Sequence, residues 1–318
     1  MRISKKYLLF LLFACALFSA AINSYAQAPN ISYTPSTNVY TINTAIAPLI
    51  PANSGGPVAS FAYGAGVQLT GATLSNPYGM GIDPSGNIYV VNYGNNSVSK
   101  YNSAGTYQGT FGTNANLSEP AGITFDASGN GYVLNYHRTN NGLGNNHGNA
   151  YVDKYNSAGA YQSTIIQGLG TANGLAQDAS NYLYVAQGNY NGGANTVSQY
   201  NISGALAFNI ATGHTTNPVA VAVDGSYNIY VLDNSGQNVT KYNSTGGYLS
   251  TVITGLSNPN AIYVDGAGDI YVGDSGTHTV TVYNGSGTLL TTISGITDPE
   301  GLVTDNKGNL YISDFTNN

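Results

Sequence analysis

The chain has 318 residues and a net charge of −6, with 14 acidic residues against 8 basic ones. Only 7% of its residues are charged, and it holds a single cysteine. Proteins bind phosphate backbones through clustered Lys and Arg side chains, so this balance excludes a nucleic-acid-binding protein. One cysteine cannot form a disulfide within the chain, so no disulfide framework stabilises the fold.

Residues 1–26 have the three parts of a secretory signal peptide. Three basic residues precede an apolar run at 7–21, and Ser-Tyr-Ala at 24–26 forms a cleavage site. The apolar run is short for a bilayer, which disfavours a transmembrane anchor. A lipid anchor at Cys15 would need a small residue where Phe13 stands. We therefore expect a secreted or otherwise extracytoplasmic protein with no membrane span after cleavage.

Residues 27–56 do not fit the pattern of the rest of the chain. They resemble the opening of an immunoglobulin-like module of bacterial surface proteins, with Ile-Ser-Tyr, Val-Tyr-Thr and then Ala-Ile-x-Pro-Leu-x-Pro before Gly-Gly. Such a module needs several more strands, which this sequence does not supply. We interpret the segment as an Ig-like remnant or a spacer that uses the same turns.

Residues 57–318 are organised by one repeat, which is clearest at 76–111. An aspartate closes a short apolar run in each copy, at intervals of about 40 to 50 residues. A tyrosine follows each aspartate at the same offset, and a proline precedes it in all copies but one. The aligned aspartates are Asp83, Asp126, Asp178, Asp224, Asp265 and Asp305. A fixed offset with this period indicates a propeller or a solenoid.

Each copy reads as four short strands separated by turns. In the first copy the strands are predicted at 79–83, 87–92, 97–102 and 106–111, where β-branched and aromatic residues are frequent. Asp, Asn, Ser and Gly supply the turns between them. No apolar period of 3.6 residues is sustained after residue 30, which excludes helices as a main component. The predicted fold is therefore all-β, a six-bladed β-propeller of four-stranded antiparallel blades.

The two ends of the chain are expected to close the ring by sharing its last blade. The sixth copy supplies only two strands, at 301–305 and 309–314. Val58–Tyr63 matches the last strand of a blade, so it is predicted to be the outermost strand of the closing blade. The third strand is missing unless 39–43 provides it. The alternative is that the chain is a piece of a longer protein.

Three segments of the chain resemble NHL repeats: NPYGMGIDPSGNIYVVN, NPNAIYVDGAGDIYVGDSGTHTVTVYN and DPEGLVTDNKGNLYISD. They share the family pattern Pro-x-Gly-Ile-Ala-Val-Asp, followed by Gly-Asn-Ile-Tyr-Val-Ala-Asp. The resemblance extends over 76–318 and implies a β-propeller. It does not imply one activity, because NHL propellers include RNA binders, protein scaffolds, lyases and sugar-lactone hydrolases.

One face of the predicted propeller gathers the loops before each first strand and the loops between second and third strands. Two insertions, 135–149 and 187–195, fall in loops of the second kind. Function in repeat proteins concentrates where insertions gather, and aromatic rings beside amides suit stacking on sugars or peptides. The candidate ligand-binding residues are Tyr78, Tyr93, Tyr136, His137, Arg138, His147 and Tyr190. The alternative is two long loops that bind nothing.

The first strands are expected to line a central channel with small, mostly inert side chains. The residues predicted to point inward are Gly81, Thr124, Ala176, Ala222, Tyr263 and Val303. The lactone-hydrolase relatives imply a divalent cation such as calcium, held by carboxylate and amide oxygens. Glu300, Asn260 and Asn173 are the candidate metal ligands, with Asp298 close by in the sequence. So few carboxylates argue against a metal site. The lyase relatives imply a histidine base, for which His137 is the comparable candidate.

One apparent catalytic motif belongs to the repeat. Gly273-Asp274-Ser275-Gly276 matches a serine-protease nucleophile motif, but Asp233-Asn234-Ser235-Gly236 occupies the same place one copy earlier. A strained nucleophile turn would not recur as ordinary structure, so we interpret the motif as a turn.

Together these patterns favour a secreted, non-enzymatic binding or scaffold propeller without a cofactor. It would engage a protein or glycan partner through its loop-rich face. The alternative is an enzyme on the same face, either a metal-dependent sugar-lactone hydrolase or a lyase.

Overall fold

The structure, a computed structural model, describes residues 31–33, 39–41, 51–53, 63, 66–112, 116–136, 150–188, 195–210 and 213–317. Their regular structure is β throughout, apart from a 3-10 turn at Tyr93–Asn95. In this part of the chain no helix is long and apolar enough to cross a membrane. The prediction of an all-β protein is confirmed. The predicted signal peptide, 1–26, lies outside the described residues.

Three short strands precede the repeats: β1 (Ile31–Tyr33), β2 (Val39–Thr41) and β3 (Pro51–Asn53). β1 and β3 form a two-stranded antiparallel sheet, in which Ser32 lies opposite Ala52. The rest of 27–56 lies outside the described residues, so the interpretation of this segment stays a prediction.

Five blades follow, and each has four antiparallel strands that lie in the sheet in chain order. The first blade is β4 (Pro77–Ile82), β5 (Ile88–Asn92), β6 (Ser97–Tyr101) and β7 (Tyr107–Thr110). The second is β8 (Pro120–Phe125), β9 (Gly131–Asn135), β10 (Ala150–Tyr155) and β11 (Tyr161–Leu169). The third is β12 (Ala172–Gln177), β13 (Tyr182–Gln187), β14 (Thr196–Asn201) and β15 (Leu206–Ile210).

The fourth blade is β16 (Pro218–Val223), β17 (Ile229–Asp233), β18 (Asn238–Tyr242) and β19 (Tyr248–Thr254). The fifth is β20 (Pro259–Val264), β21 (Ile270–Asp274), β22 (Thr279–Tyr283) and β23 (Leu289–Ser294). The sixth repeat supplies two antiparallel strands, β24 (Pro299–Thr304) and β25 (Leu310–Asp314).

The predicted count of six four-stranded blades is wrong for the described residues, which form five such blades and a sixth sheet of three strands. The sixth sheet is completed by β2, whose Tyr40 lies opposite Tyr311. β2 therefore occupies the place predicted for 39–43. It runs parallel to β25, whereas the third strand of the other blades is antiparallel, so it does not reproduce a blade. Of the predicted outermost strand, Val58–Tyr63, only Tyr63 is described. Its hydroxyl bonds that of Tyr271 in the fifth blade, at 3.1 Å.

Neighbouring sheets pack face to face, and the second strand of each is buried on both sides. In β5 all five residues are buried. Val90 packs with Tyr311 of the sixth sheet, while Val91 packs with Val133 of the second blade. Successive side chains of a strand point to opposite faces, so a strand between two sheets must be apolar throughout. This explains the continuous apolar runs of the repeat.

The turn between first and second strands has one construction in all six repeats. In the first repeat Oδ1 of Asp83 accepts hydrogen bonds from the backbone N–H groups of Ser85 and Asn87, at 2.9 Å each. Oδ2 of the same carboxylate accepts the hydroxyl of Tyr89, also at 2.9 Å. The carboxylate thereby closes a β-turn and anchors a tyrosine whose ring is buried between sheets. The repeated aspartates are therefore structural groups.

Candidate functional site

The loop before each first strand, which we call a mouth loop, is held by the last residue of the second strand in the same sheet. In the sixth sheet the carboxylate of Asp314 accepts hydrogen bonds from the backbone N–H groups of Thr297 and Asp298, at 2.8 and 3.2 Å. In the fifth blade Asp274 accepts the N–H groups of Ser257 and Asn258, at 2.7 and 2.9 Å. These buried carboxylates fix the backbone from which the site residues project.

The first strands of all six sheets surround one central cavity of about 380 Å³. All six residues predicted to point inward line it: Gly81, Thr124, Ala176, Ala222, Tyr263 and Val303. β24 of the sixth sheet packs against β4 of the first blade. At that junction the hydroxyl of Ser313 donates a hydrogen bond to the backbone oxygen of Tyr78. The small side chains leave room inside. Polar side chains such as Gln177 and Thr304 line the end of the cavity where the first strands finish, and others line the end where these strands begin.

Glu300, Asn260 and Tyr78 lie at that end, which we call the channel mouth. The side-chain amide of Asn260 donates to Oε1 of Glu300 at 2.9 Å, and to the hydroxyl oxygen of Ser275 at 3.0 Å. Oε2 of Glu300 is buried and has no hydrogen-bond partner of normal geometry among the described residues. One oxygen of this carboxyl group is thus held by the Asn260 amide, while the other makes no hydrogen bond of normal geometry, although the Tyr78 hydroxyl lies beside the group.

The pKa of Glu300 is raised from 4.5 to about 8, mainly by burial and to a smaller extent by the nearby carboxylate of Asp298, while the Tyr78 hydroxyl and the Asn260 amide offset part of the rise. Burial also raises the pKa of Tyr78 well above its usual value, and the neighbouring Glu300 adds to the effect. At neutral pH the carboxyl group of Glu300 is therefore mostly protonated. A perturbed acid at the end of a cavity is a functional-site candidate with a physical basis.

Three aromatic rings form a cluster beside this carboxyl group. The ring centroid of Tyr78 lies 6.0 Å from those of both Tyr93 and Phe315, and the Tyr93 and Phe315 centroids lie 6.2 Å apart. Burial raises the pKa of Tyr93 to about 12, with smaller contributions from Glu119 and Tyr136. All three rings remain partly exposed. We call Tyr78, Tyr93 and Phe315, with the carboxyl groups of Glu119 and Glu300, the acidic aromatic cluster.

The structure brings some of the predicted ligand-binding residues together. Tyr78 and Tyr93 are in ring contact, and Tyr136 lies near both, since it raises the pKa of each hydroxyl. The other four predicted residues lie outside the described residues: His137, Arg138, His147 and Tyr190.

Sequence reasoning missed Phe315 and Glu119. Phe315 directly follows the last residue of its second strand, as Tyr93 and Tyr136 do in the first two blades. The three backbone N–H groups also make the same hydrogen bond to a mouth loop, with Asp298, Asn76 and Glu119 as acceptors. An alignment of the repeats on the residue after the second strand would have revealed an aromatic side chain in the sixth, first and second repeats.

The candidate metal ligands fit a cation poorly. Asn173 lines the same cavity as Asn260 and Glu300, but only the last two are joined by a hydrogen bond. In that bond the amide nitrogen of Asn260 faces the carboxyl group of Glu300, which is the only carboxyl group among the three candidates. An amide nitrogen does not bind a metal ion, so this orientation does not suit a cation. The described residues contain no group of three or more His, Cys, Asp and Glu side chains able to hold a metal ion.

The protease-like motif is a turn, in agreement with its interpretation from the sequence. The carboxylate of Asp274 accepts the backbone N–H of Gly276 at 2.9 Å as well as those of its mouth loop. The Ser275 hydroxyl accepts the side-chain amide of Asn258 at 2.7 Å and donates to the backbone oxygen of the same residue at 3.2 Å. These partners give Ser275 a structural role.

Comparison of the sequence with known families matches residues 256–283 to the NHL repeat. These residues run from the mouth loop of the fifth blade to the end of β22. The chain carries an NHL repeat. Among curated proteins, no sequence matches the chain significantly.

Solved structures similar to this one cover most of the chain. The NHL-containing chain superposes on a chain of a nidogen–laminin complex with a TM-score of 0.61 and 16% identity, over 74% of this chain and 84% of that one. The superposition on a protein assigned as a gluconolactonase has a TM-score of 0.61 and a sequence identity of 14%, over 77% of this chain and 88% of that one. The superposition on virginiamycin B lyase from Staphylococcus aureus has a TM-score of 0.54 and a sequence identity of 10%, over 75% of this chain and 77% of that one. At these identities the similarity shows the β-propeller fold alone.

Proposed function

We propose that the protein is a secreted, non-enzymatic binding or scaffold propeller of bacterial origin. It engages a protein or glycan partner through the face that bears the channel mouth. The observation that carries this proposal is the acidic aromatic cluster, in which partly exposed rings lie beside carboxyl and amide groups. Rings of this kind supply large contact areas at low entropic cost, with polar groups to fix orientation.

The proposal includes a ring of six sheets closed by the two ends of the chain. Supporting it are the hydrogen bond from Ser313 to the backbone of Tyr78 and the one from the Asn76 amide to the backbone oxygen of Phe315, at 3.4 Å. Both join the sixth sheet to the first blade. The similarity to a propeller in a nidogen–laminin complex supports protein binding as one use of such a fold.

A binding screen tests the proposed function. The purified protein is screened against a glycan array and a peptide array, beside a variant in which Tyr93, Tyr136 and Phe315, the partly exposed rings at the channel mouth, are all alanine. We expect a binder whose affinity the variant lowers by about tenfold or more, because a few anchoring residues supply most of the binding free energy. A binder that the variant retains at full affinity, or no binder at all, would contradict the proposal.

A second candidate function is an enzyme on the same face, and the raised pKa of Glu300 favours it. A carboxyl group that is protonated near pH 7 can act as a general acid. In the metal-dependent form of this alternative, a divalent cation such as calcium would be held by Asn260, Asn173 and the ionised carboxylate of Glu300, which then could not be the general acid. The substrate would be a sugar lactone. Lactone hydrolysis that requires calcium and is lost in Glu300→Gln would support this alternative over the binding module.

A further inference from the structure

We propose that the acidic aromatic cluster at the channel mouth binds an alkylammonium group. This inference rests on the proposed function and names the chemistry of one contact that the partner makes. Two sources share that chemistry: a free small amine, and the lysine side chain of a protein partner.

The arrangement of the rings is the first support. The centroids of Tyr78, Tyr93 and Phe315 lie 6.0 to 6.2 Å from one another, and the interplanar angles range from 35° to 87°. The rings are therefore tilted with respect to one another and do not stack in parallel, so a ligand at the cluster meets rings in different orientations. A cation is attracted to the faces of aromatic rings, and it gains most where several rings surround it.

The charges near the cluster are the second support. Glu300 lies beside the Tyr78 hydroxyl and Glu119 beside that of Tyr93, so a carboxyl group stands next to two of the rings. Lys100, Lys154 and Lys241 lie over the rings of Tyr89, Tyr132 and Tyr230, at the opposite end of the strands. The remaining lysine of the described residues, Lys307, lies in the turn before β25, at that same end. Within the described part of the chain, no lysine or arginine side chain lies at the channel mouth, so none occupies the place proposed for the ligand cation.

The Oε2 oxygen of Glu300 is the third support. Oε2 is buried and makes no hydrogen bond of normal geometry, although the Tyr78 hydroxyl lies beside the same carboxyl group, whereas Oε1 is held by Asn260. In the ionised carboxylate Oε2 is therefore a poorly compensated buried acceptor, and a ligand N–H group or positive charge would compensate it. The groups that face Glu300 are Asp298, Tyr78 and the uncharged Asn260, so none of them supplies a positive charge.

The test uses choline and its neutral isostere 3,3-dimethylbutan-1-ol, titrated into the purified protein at low salt and followed by ligand-observed NMR. We expect choline to bind and the alcohol to bind at least about tenfold more weakly, because only choline carries the charge. Equal binding of the two probes would overturn the proposal, as would the absence of choline binding.

Variants locate the site. Phe315→Leu removes a ring face but keeps apolar volume, and Glu300→Gln removes the ionisable carboxyl group but keeps an oxygen for Asn260. Each should weaken choline binding by about fivefold or more. Tyr248→Leu is the control, since Tyr248 is an exposed ring on the outermost strand of the fourth blade, stacked on His214. Loss of binding in the control alone would place the site elsewhere and overturn the proposal.

Two further probes identify the source of the ammonium group. A blocked Gly-Lys-Gly peptide that binds more tightly than butylammonium points to a protein partner, while a peptide excluded from the mouth points to a free amine. If the array screen yields a partner but choline does not bind, only this inference fails. If neither binds, the proposed function fails as well.

Discussion

The hydroxyl of Tyr89 donates a hydrogen bond of 2.9 Å to Oδ2 of Asp83, six residues earlier in the chain. The same bond recurs in the other five repeats at 2.9 to 3.1 Å. It couples a turn at the surface to a side chain in the core, because each tyrosine ring is buried between two sheets. The spacing that reveals the repeat in the sequence is thus the spacing that this hydrogen bond requires.

Removal of this hydroxyl should destabilise the fold. Tyr89→Phe removes one of the two donors to Oδ2 of Asp83, the other being the Asn87 side-chain amide, so we expect the free energy of unfolding to fall by about 1 to 2 kcal/mol. Tyr101→Phe in the same blade is the matched control, since the buried hydroxyl of Tyr101 has no partner among the described residues. That variant should be neutral or slightly stabilised. Urea unfolding of both variants checks the comparison, and equal losses would contradict it.

Stability should fall in acid. Burial raises the pKa of Asp83, but hydrogen bonds from Asn87, Tyr89 and Ser85 outweigh it and hold the pKa below the ordinary 3.8. The pKa values of Asp126 and Asp224 are lowered in the same way. A carboxyl group with a lowered pKa in the folded state stabilises the protein above its unfolded pKa, and this contribution is lost as the pH falls through the folded value.

We therefore expect the free energy of unfolding to decrease below about pH 4. In Asp83→Asn the decrease should be shallower, because one titrating group is gone. Urea titrations from pH 2.5 to 6 measure both. A slope that the substitution leaves unchanged would show that Asp83 does not contribute.

Glu300 should have the opposite pH dependence. Its pKa is raised from 4.5 to about 8, so its contribution to stability is present below pH 4.5 and is lost as the pH rises through 8. Glu300→Gln removes this loss. We expect the variant to exceed the wild-type stability by about 1 kcal/mol or more at pH 9, with little difference at pH 4. A variant that is less stable than the wild type at pH 9 would refute the pKa assignment.

Contact between the sixth sheet and the first blade can be tested at Gly301. A Cβ atom at this position would lie 2.3 Å from the backbone oxygen of Tyr78, too close for any side chain. Gly301→Ala should therefore destabilise the protein by about 2 kcal/mol or more. Gly266→Ala is the control, since nothing lies within 4 Å of its Cβ position. If the two variants have equal melting temperatures, β24 does not pack against β4 in solution.

Much of the candidate site could be read from the sequence, because the repeat fixes which positions share an end of the channel. In three sheets the residue after the proline that begins the first strand lies at the channel mouth. These residues are Tyr78, Asn260 and Glu300. Phe315 was missed since it falls just beyond the last predicted strand. The raised pKa of Glu300 depends on burial by neighbouring sheets, which a single sequence does not report.

The sixth sheet was the least predictable part of the fold. β2 has three residues and belongs to no repeat, so no periodicity links it to β25. A third strand in the style of the other blades would run antiparallel, and only the structure shows that this one runs parallel. Repeat-based reasoning thus fails where the repeat stops, because the pairing then depends on contacts distant in the sequence.

We propose that Glu300 and its neighbours bind a partner and do not serve metal-dependent catalysis. Thermal unfolding with EDTA and with added calcium, for the wild type and Glu300→Gln, tests it most directly. A ligand that binds only the folded state raises the melting temperature. We predict the same melting temperature under both conditions. A calcium-dependent increase that disappears in Glu300→Gln would contradict the binding account and support the enzyme.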